Sequence, residues 1–552
     1  MGENDSRRPI LLLGLFLGIF FAALDQTVVG TAMPRIIGDL GGLSIMTWVT
    51  TAYMLSSATI VPIAGKFADL FGRRIVYVTG ILIFILGSTL CGTCHNMTEL
   101  IIYRGLQGIG GGMIMPLSMI VVGDIFTPEK RGKWQGVIGG IFALASIVGP
   151  TVGGWIVDNS SWRWVFYINL PIGMLAASCI YFGLQGEKQL RKGIVIDYAG
   201  AVTLTIGIVS LLFGLNLGGK NYPWSSWQVI ALFGLSFIAV AIFLLVEKKA
   251  PEPILHFDLF KNRVFAVTSI LSFLMGLGMF GSLMFLPIFL QGVVGISATK
   301  SGNTMIPMMI SLIAASVIGG RIVTKVRFRT LFVAGLSFTA VGFYLLSTMS
   351  SDTTQSTAIS HIIFLGCGMG LIMPTTTIAV QNAFPYEQRG VATSSTQFFR
   401  MIGGSIGMTV LGVIFNNHSA DFLEKEFFPK IQGVTGLNGG PFGKVLLEAH
   451  SDPHSLFNVL LSPEAQKQIP EGFRQLILPL LKHSLANSLN LVFLIAMFVT
   501  IAGIAISVLM GDARIEKMSE RPMAQEAGME LLAEEVELTS DMEPDLIDDR
   551  KT

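Results

Sequence analysis

One stretch of the chain is written almost twice. Residues 108–116 read Gly-Ile-Gly-Gly-Gly-Met-Ile-Met-Pro, and residues 366–374, each 258 positions later, read Gly-Cys-Gly-Met-Gly-Leu-Ile-Met-Pro. The same shift relates the two Phe-x-x-Glu-x-Arg-Gly patterns that begin at Phe126 and Phe384. The match therefore runs through an apolar segment and into the charged loop that follows it. The chain contains two related halves in parallel order, which is typical of transporters whose substrate site lies between the halves.

The composition indicates that the two halves fold within a membrane. Hydrophobic residues make up 51% of the 552 residues and charged residues only 13%, as in membrane proteins with many spans. Apolar runs of about 20 residues predict about fourteen membrane helices and hence an all-α polytopic membrane protein. They lie near 10–31, 47–69, 75–94, 100–123, 134–156, 164–184, 199–217, 227–246, 266–290, 302–323, 330–348, 360–380, 393–414 and 489–510. Six helices do not need 258 residues, so the helices near 199–217 and 227–246 are expected to be inserted between two six-helix bundles.

Lysine and arginine in the connecting loops predict the orientation. With the amino terminus in the cytoplasm, the inner segments carry 21 of these residues, and the short outer loops carry only Arg35, Arg163, Lys220 and Lys300. The inner set is Arg7, Arg8, Lys66, Arg73, Arg74, Lys130, Arg131, Lys133, Lys188, Arg191, Lys192, Lys248, Lys249, Lys261, Arg263, Arg321, Lys325, Arg327, Arg329, Arg389 and Arg400. We therefore expect a multi-pass protein of the cell membrane with both termini in the cytoplasm.

These spans divide the chain into four parts. They are a six-helix bundle in 1–190, two inserted helices with their linkers in 191–262, a second bundle in 263–510 and an acidic cytoplasmic tail in 511–552. The second bundle includes an external loop, 415–487, with turn-rich and short amphipathic stretches. This loop is expected either to lie on the outer leaflet or to be a plain linker. The tail is expected to be a solvated end.

Charged residues at membrane depth are the first functional candidates, because a buried ionisable group is costly there. Asp25 is the only acid well inside a predicted span. Arg104 lies at a similar depth in the fourth span, with Gln107 one turn further along the same face. One interpretation is an ion pair that only joins two helices. The other is a proton-carrying carboxylate, since burial favours its neutral form and Arg104 favours its ionised form.

A second candidate is the inner connection between the second and third helices. It reads Gly-x-x-x-Asp-x-x-Gly-Arg-Arg from Gly65 to Arg74. Gly65 permits close helix contact, and Gly72 permits a tight turn. Asp69 is expected to pair with Arg73 or with a neighbouring helix in one conformation only, which would make it a gate. Further expected members of this network, in the next inner loop, are Asp124, Glu129 and Arg131.

The fifth helix combines a proline with small residues one turn apart. The segment Ala145–Gly154 contains Gly149, Pro150, Gly153 and Gly154. Proline bends a helix and frees a carbonyl, while glycines let a neighbouring helix approach closely. The pattern predicts a tight helix contact.

Together these motifs resemble those of the major facilitator superfamily and, within it, the fourteen-span branch of drug–proton antiporters. Residues 24–34, Leu-Asp-Gln-Thr-Val-Val-Gly-Thr-Ala-Met-Pro, are similar to the first-helix motif of that branch. Gly65–Arg74 resembles the superfamily's inner-loop motif, and Leu100–Gly110 resembles the fourth-helix motif associated with proton coupling. Ala145–Gly154 is similar to the antiporter motif of the fifth helix, with Ala145 where glycine is more usual. Segments 162–173 and 291–295 resemble the fourteen-span branch, and the resemblance covers residues 10–510.

The resemblance implies the major facilitator fold and a non-enzymatic, proton-coupled antiporter that exports hydrophobic or amphiphilic drugs by alternating access. Asp25, Arg104 and Gln107 would then couple the proton. Abundant glycine, methionine and phenylalanine suit an adaptable cavity. The candidate lining residues are Phe20, Phe21, Met113, Met115, Met373 and Gln381. Because the second half has no interior acid, monovalent lipophilic cations or neutral amphiphiles are expected to be favoured over dications.

Other functions remain open. One is a dedicated exporter of a single lipid, siderophore or antibiotic, and another is a membrane receptor or scaffold that signals through the external loop and the tail. For the antiporter we expect no cofactor besides the coupling proton and no metal. Its expected partners are lipophilic small molecules and membrane lipids, with no nucleic acid and with an adaptor protein as an alternative at 415–487. We expect a monomer.

Overall fold

The fold was analysed in a computed structural model, which describes residues 7–125, 128–184, 197–218, 222–251, 253, 255–323, 325–384, 388–431, 455–461 and 471–514. The predicted acidic tail lies outside this described part from residue 515 onward. The described regular elements are helices joined by short turns. Each span expected from the apolar runs corresponds to a helix, and the helices extend beyond most of the predicted ends.

The amino-terminal half contains seven helices, the sixth being a single turn that continues into the seventh. They are α1 (Arg8–Leu40), α2 (Thr47–Phe71), α3 (Arg73–Thr93), α4 (Met97–Ile125), α5 (Pro128–Asn159), α6 (Trp164–Tyr167) and α7 (Asn169–Gly183). Within this half α2 and α3 pack against α4, while α1 packs against α5 and α7. The result is one six-helix bundle, with α6 and α7 forming its last member.

The next two helices are α8 (Tyr198–Leu217) and α9 (Trp227–Glu247). They pack against each other, and α8 also contacts α2 and the carboxy-terminal half. The side chains of α9 are largely exposed, as expected for a helix at the lipid boundary. These are the two helices predicted to be inserted between the bundles.

The carboxy-terminal half repeats the packing of the first. Its helices are α10 (Arg263–Ile288), α11 (Ala298–Ile322), α12 (Phe328–Ser347), α13 (Gln355–Asn382), α14 (Arg389–Phe422), α15 (Phe428–Ile431), α16 (Ser455–Leu461) and α17 (Glu471–Val508). Here α11 and α12 pack against α13, and α10 packs against α14 and α17. These are the counterparts of the pairs in the first half, so the two-bundle fold predicted from the repeat is confirmed.

The repeated glycines explain why this part of the sequence is the most similar between the halves. A Cβ built on Gly112 would lie 2.6 Å from the Ser57 carbonyl oxygen of α2, and one on Gly110 would lie 2.6 Å from the Gly80 carbonyl of α3. Their counterparts Gly370 and Gly368 make the same kind of approach to α11 and α12. Each central helix is thus in backbone contact with two neighbours, and side chains at these positions would push the helices apart.

Twelve helices in the described residues are long and apolar enough to cross a membrane. Two further helices, α2 and α5, contain 25 and 32 residues. Their places in the first bundle correspond to those of α11 and α14 in the second. A helix of that length measures about 37–48 Å, which exceeds the thickness of the bilayer's hydrocarbon core. The architecture therefore accommodates the fourteen spans expected from the sequence.

Of the predicted external loop, the structure describes 415–431, 455–461 and 471–487, all of them helical; the turn-rich stretch lies outside the described residues. Helix α14 continues to Phe422, followed by a π-helical turn over Leu423–Phe427, and α17 already begins at Glu471. Between them α16 packs against α1 and α17, and its Leu456 and Phe457 are fully buried. The described part of 415–487 therefore belongs to the folded core at the predicted external end. It is neither a plain linker nor a segment on the outer leaflet.

Candidate functional site: a buried carboxylate and the contact between the bundles

The structure brings Asp25, Arg104 and Gln107 together inside the amino-terminal bundle. The Arg104 Nη1 donates to Asp25 Oδ2 at 2.6 Å and to the Gln107 Oε1 at 2.7 Å, while Gln107 Nε2 donates to Asp25 Oδ1 at 2.9 Å. None of the three residues is more than 1% exposed. Helix α3 approaches closely here, because a Cβ on Gly87 would lie 2.6 Å from the Gln107 Cα. The three side chains thus form a closed hydrogen-bonded ring.

A fourth member of this cluster is Asn169, the first residue of α7. Its Nδ2 donates to Asp25 Oδ1 at 2.9 Å and to Ser88 Oγ at 3.0 Å, and Ser88 donates in turn to the Phe166 carbonyl at 2.8 Å. In the sequence, Asn169 belongs to the segment 162–173 that resembles the fourteen-span branch, and it was not predicted to be a site residue. A buried asparagine in an apolar run was the available signal, since buried polar groups require partners.

The cluster is a carboxylate–guanidinium pair enclosed by apolar and aromatic groups. The Arg104 guanidinium lies over the Tyr53 ring, 4.4 Å from its centroid. Removing one partner of a buried ion pair is costly because the other charge is left uncompensated. The contact of α1 with α4 at this point therefore depends on both members of the pair.

The fifth-helix motif forms one side of the contact that α5 makes with α1. A Cβ on Gly153 would lie 2.6 Å from the Thr31 Oγ1, and Gly149 faces Thr27 even more closely. Thr27 Oγ1 also lies 3.4 Å from the carbonyl of Ala145, the position where glycine is more usual in the family pattern. Two turns of α5 therefore lie directly on α1, about half a turn and somewhat less than two turns beyond Asp25.

The other side of the same motif contacts the opposite bundle. A Cβ on Gly302 of α11 would lie 2.5 Å from the Pro150 carbonyl carbon, and one on Gly154 would lie 2.6 Å from the Thr299 Cα. The predicted tight contact of Gly149, Pro150, Gly153 and Gly154 is thus double, with α1 in the same bundle and with α11 in the other. Small residues at these positions let α11 and α5 meet backbone to backbone.

Asp158, near the end of α5, extends this contact to the start of α11. Its carboxylate accepts hydrogen bonds from the Ala298 amide at 3.2 Å and the Thr299 amide at 2.8 Å, and from the Thr299 hydroxyl. These amides belong to the first turn of α11, whose N–H groups have no partner within the helix. A residue of one bundle therefore caps a helix of the other, which the sequence did not reveal.

Three more contacts join the bundles at the predicted external ends. The Gln291 Nε2 donates to the Thr31 carbonyl at 3.0 Å, and Asn416 Nδ2 donates to the Ser44 carbonyl at 2.6 Å. A Cβ on Gly412 of α14 would lie 2.7 Å from Thr47 of α2. Together with the α5–α11 contact, these interactions hold the bundles closed at that end.

Only part of the inner-loop motif can be located in detail. Gly72 separates α2 from α3 with a φ of +86°, a conformation that favours glycine and accounts for the tight turn. Arg73 begins α3, and the guanidinium of Arg74 lies 3.8 Å from the ring centroid of Tyr181 in α7. The structure describes the backbone at five positions of the expected gate but not the surroundings of the residues there, so their gating role stays a prediction. These residues are Gly65, Asp69, Asp124, Glu129 and Arg131.

The six candidate cavity residues fall into two groups. Phe21 is fully buried and packs edge-on against Phe84 at 5.0 Å, and Met113 is buried where α4 meets Gly80 of α3. In this structure both belong to the interior of the amino-terminal bundle and not to a cavity surface. Partial exposure is retained by Phe20, Met115, Met373 and Gln381. Helical apolar patterns do not separate these two environments, because helices buried within a bundle are apolar on several faces.

Arg400 differs from its predicted location. It was counted among the cytoplasmic charges, but α14 begins at Arg389, so Arg400 lies 11 residues into the helix. That is about 16 Å along the axis and hence at membrane depth. Its Nη2 donates to Gln397 Oε1 one turn before it. Among the described residues of the carboxy-terminal bundle no acid lies inside a predicted span, whereas Arg400 does.

Comparisons with known proteins agree with this architecture. The family model of the Major Facilitator Superfamily matches residues 15–408. The chain is 51% identical over 490 residues to the multidrug transporter protein MdtP of Bacillus subtilis (strain 168), covering 89% of this chain and 90% of that protein. It is 38% identical to multidrug resistance protein 3 of the same strain, covering 94% and 98%.

Among solved structures, the chain is similar to a bacterial homologue of the human lysosomal transporter Spinster in an inward-facing, unoccupied conformation. The TM-score is 0.62 at 14% identity, and the match covers 93% of this chain and 99% of that one. At this identity the likeness concerns the fold alone.

Proposed function

The chain belongs to the major facilitator superfamily, and we propose that it exports hydrophobic and amphiphilic compounds across the cell membrane in exchange for protons. Relatives named multidrug transporters cover nearly its whole length, which supports the substrate class. The observation that carries the coupling is the enclosed cluster of Asp25, Arg104, Gln107 and Asn169. A carboxylate held at membrane depth by three donors is expensive to retain without a role.

The proposed cycle follows from two features of α1, which are the Asp25 carboxylate and the contact that the helix makes with α5. Protonation of Asp25 removes the negative charge that Arg104 and Asn169 now stabilise, which weakens the attachment of α1 to α4 and α7. The same helix carries Thr27 and Thr31 against α5, and thereby contacts the layer that closes the bundles at the predicted external end. Proton uptake and opening of that end are coupled through one rigid helix. The proton would enter from outside as the substrate leaves.

The test is substrate-driven proton movement in vesicles reconstituted with purified protein. A preset pH gradient should collapse faster when an exported dye is added, and Asp25→Asn should abolish this effect while substrate binding and thermal stability are retained. The amide preserves the shape of the side chain but carries no titratable proton. Asp352→Asn, which changes an exposed carboxylate between α12 and α13, is the matched control.

The outcomes separate the alternatives. Full gradient-dependent efflux by a well-folded Asp25→Asn protein would refute the assignment of the proton site. A panel of unrelated dyes and biocides distinguishes a broad exporter from one dedicated to a lipid, siderophore or antibiotic. A receptor or scaffold would bind a ligand without dissipating the gradient.

A further inference from the structure

The distribution of charge at membrane depth is asymmetric between the two bundles. In the amino-terminal bundle the positive charge of Arg104 is compensated by Asp25 at 2.6 Å. In the carboxy-terminal bundle Arg400 has a hydrogen bond to the neutral Gln397, and its Nε, like that of Arg104, is buried without a hydrogen-bond partner. Among the residues that the structure describes, no carboxylate lies within ion-pair distance of Arg400. The difference between the two arginines is therefore the counter-ion, which the described residues supply to Arg104 and not to Arg400.

The neighbours of α14 show which face of the helix carries Arg400. Gly403 lies against the Phe273 carbonyl of α10, Gly412 against Thr47 of α2, and Ile402 packs in one cluster with Leu204 of α8. At about 100° per residue, Arg400 is about 60° from Gly403, about 120° from Gly412 and about 160° from Ile402. It therefore lies on the arc between the α10 and α2 faces, opposite the peripheral helix α8.

That arc lies beside the boundary between the bundles, because α10 belongs to the carboxy-terminal bundle and α2 to the amino-terminal one. The backbone of α10 packs directly against this part of α14, since a Cβ on Gly276 would lie 2.8 Å from the Gly404 amide nitrogen. The Arg400 side chain is itself partly exposed. Gln397 and Met401 lie on the same arc and are partly exposed. A guanidinium, an amide and a thioether form a surface with one charged and one apolar part.

We propose that Arg400 is the anion-binding group of the substrate cavity, and that amphiphilic monoanions, above all lipophilic carboxylates, are substrates. The inference rests on the proposed export function and names its substrate class. A carboxylate can accept two parallel hydrogen bonds from a guanidinium, and both charges gain in the low dielectric of the membrane interior. Asp25, by contrast, already accepts hydrogen bonds from three donors and is 1% exposed, so it has no free position for a substrate cation. This proposal differs from the expectation drawn from the sequence, in which monovalent lipophilic cations or neutral amphiphiles are favoured over dications.

The proposal is tested with three probe molecules that share one apolar body and differ in their head group. The probes are 1-pyrenebutyrate, its methyl ester and the pyrenylbutyl trimethylammonium ion, measured by equilibrium binding to the full chain in lipid nanodiscs. The wild-type protein should bind the carboxylate at least about tenfold more tightly than the ester. In Arg400→Gln this difference should disappear while affinity for the ester is retained, and Arg400→Lys should keep part of it. Arg327→Gln, which removes a half-exposed guanidinium paired with Asp512, is the control.

Several results would overturn the proposal. Equal or weaker binding of the carboxylate by the wild-type protein is one, and it does not depend on any variant folding. If Arg400→Gln lowered the affinity for all three probes equally, the residue would be shown to support the fold. If the variant still bound the carboxylate more tightly than the ester by the wild-type factor, the anion site would lie elsewhere. Because binding in nanodiscs needs no gradient, this experiment is independent of proton coupling. Binding of the carboxylate without proton-coupled export would refute the proposed function and leave the anion site standing.

Discussion

Asp158→Ala should shift the protein toward the state that is open at the predicted external end. The change removes the acceptor for two backbone amides and one hydroxyl at the start of α11, across the contact between the bundles. Helix α11 itself stays capped, because Ser297 Oγ accepts from the Lys300 amide at 3.3 Å. The loss therefore falls on the closed contact between the bundles and not on the helix.

The size of the effect follows from the groups involved. Loss of a capping side chain costs about 0.5–2 kcal/mol, and loss of a negative charge at a helix amino terminus costs about 0.3–1 kcal/mol when the site is exposed, as Asp158 is. We take about 1–2 kcal/mol in all. Since these interactions exist only while the external end is closed, the ratio of open to closed molecules should rise about 5–30-fold.

The measurement is a distance distribution between spin labels at the external ends of the two bundles. Thr93, at the end of α3, and Asp352, between α12 and α13, are exposed positions for the labels in a background whose four native cysteines are replaced. The matched control is Asp39→Ala. That equally exposed carboxylate accepts from Trp162 Nε1 at 2.9 Å, but both residues belong to the amino-terminal bundle. A long-distance population that rises in neither variant, or equally in both, would contradict the reasoning.

Two further predictions concern the same layers. Asn169→Ala should lower proton-coupled efflux, because one of the three donors to the Asp25 carboxylate is lost; efflux equal to that of the wild-type protein would mean that the hydrogen bond only fixes α7. Gly302→Ala should lower turnover at least about tenfold and favour the externally open state in the spin-label assay, since its Cβ would lie 2.5 Å from the Pro150 carbonyl carbon. Gly320→Ala, in the same helix but with no atom within 4 Å of the added Cβ, should transport normally.

The sequence predicted well what depends on periodicity and on rare residues. Apolar runs located the fourteen long helices because a span needs about 20 such residues, but they did not predict the short helices α15 and α16. The 258-residue shift predicted two bundles with equivalent packing, and the scarcity of interior charges suggested that Asp25 and Arg104 meet. The pairing was accessible because two opposite charges at similar depth in an apolar interior must find each other.

What the sequence did not reveal depends on the direction in which each helix face points. Arg400 was counted with the cytoplasmic charges although it lies inside the predicted span 393–414, and α14, which begins at Arg389 and extends to Phe422, places it within the helix. Phe21 and Met113 could not be distinguished from cavity residues, since helices of a bundle are apolar toward their neighbours as well as toward the lipid. Asp158 was not among the residues selected from the sequence, because its hydrogen-bond partners belong to the other bundle.

The position of Asp25 relative to the external contact explains how one proton can influence the whole molecule. Thr31 lies six residues after Asp25 on the same helix, about 9 Å along its axis. Its carbonyl accepts from Gln291 of the opposite bundle, and its side chain lies against Gly153. An α-helix transmits rotation over such a distance with little loss, because every turn is fixed by its backbone hydrogen bonds. A movement of α1 that follows the loss of charge at Asp25 must therefore displace Thr31 from contacts that tolerate no displacement. Packed contacts of this kind have discrete arrangements and do not deform continuously. In the proposed cycle, the proton site and the external closure are thus two ends of one element, which is what exchange of a proton for a substrate would require.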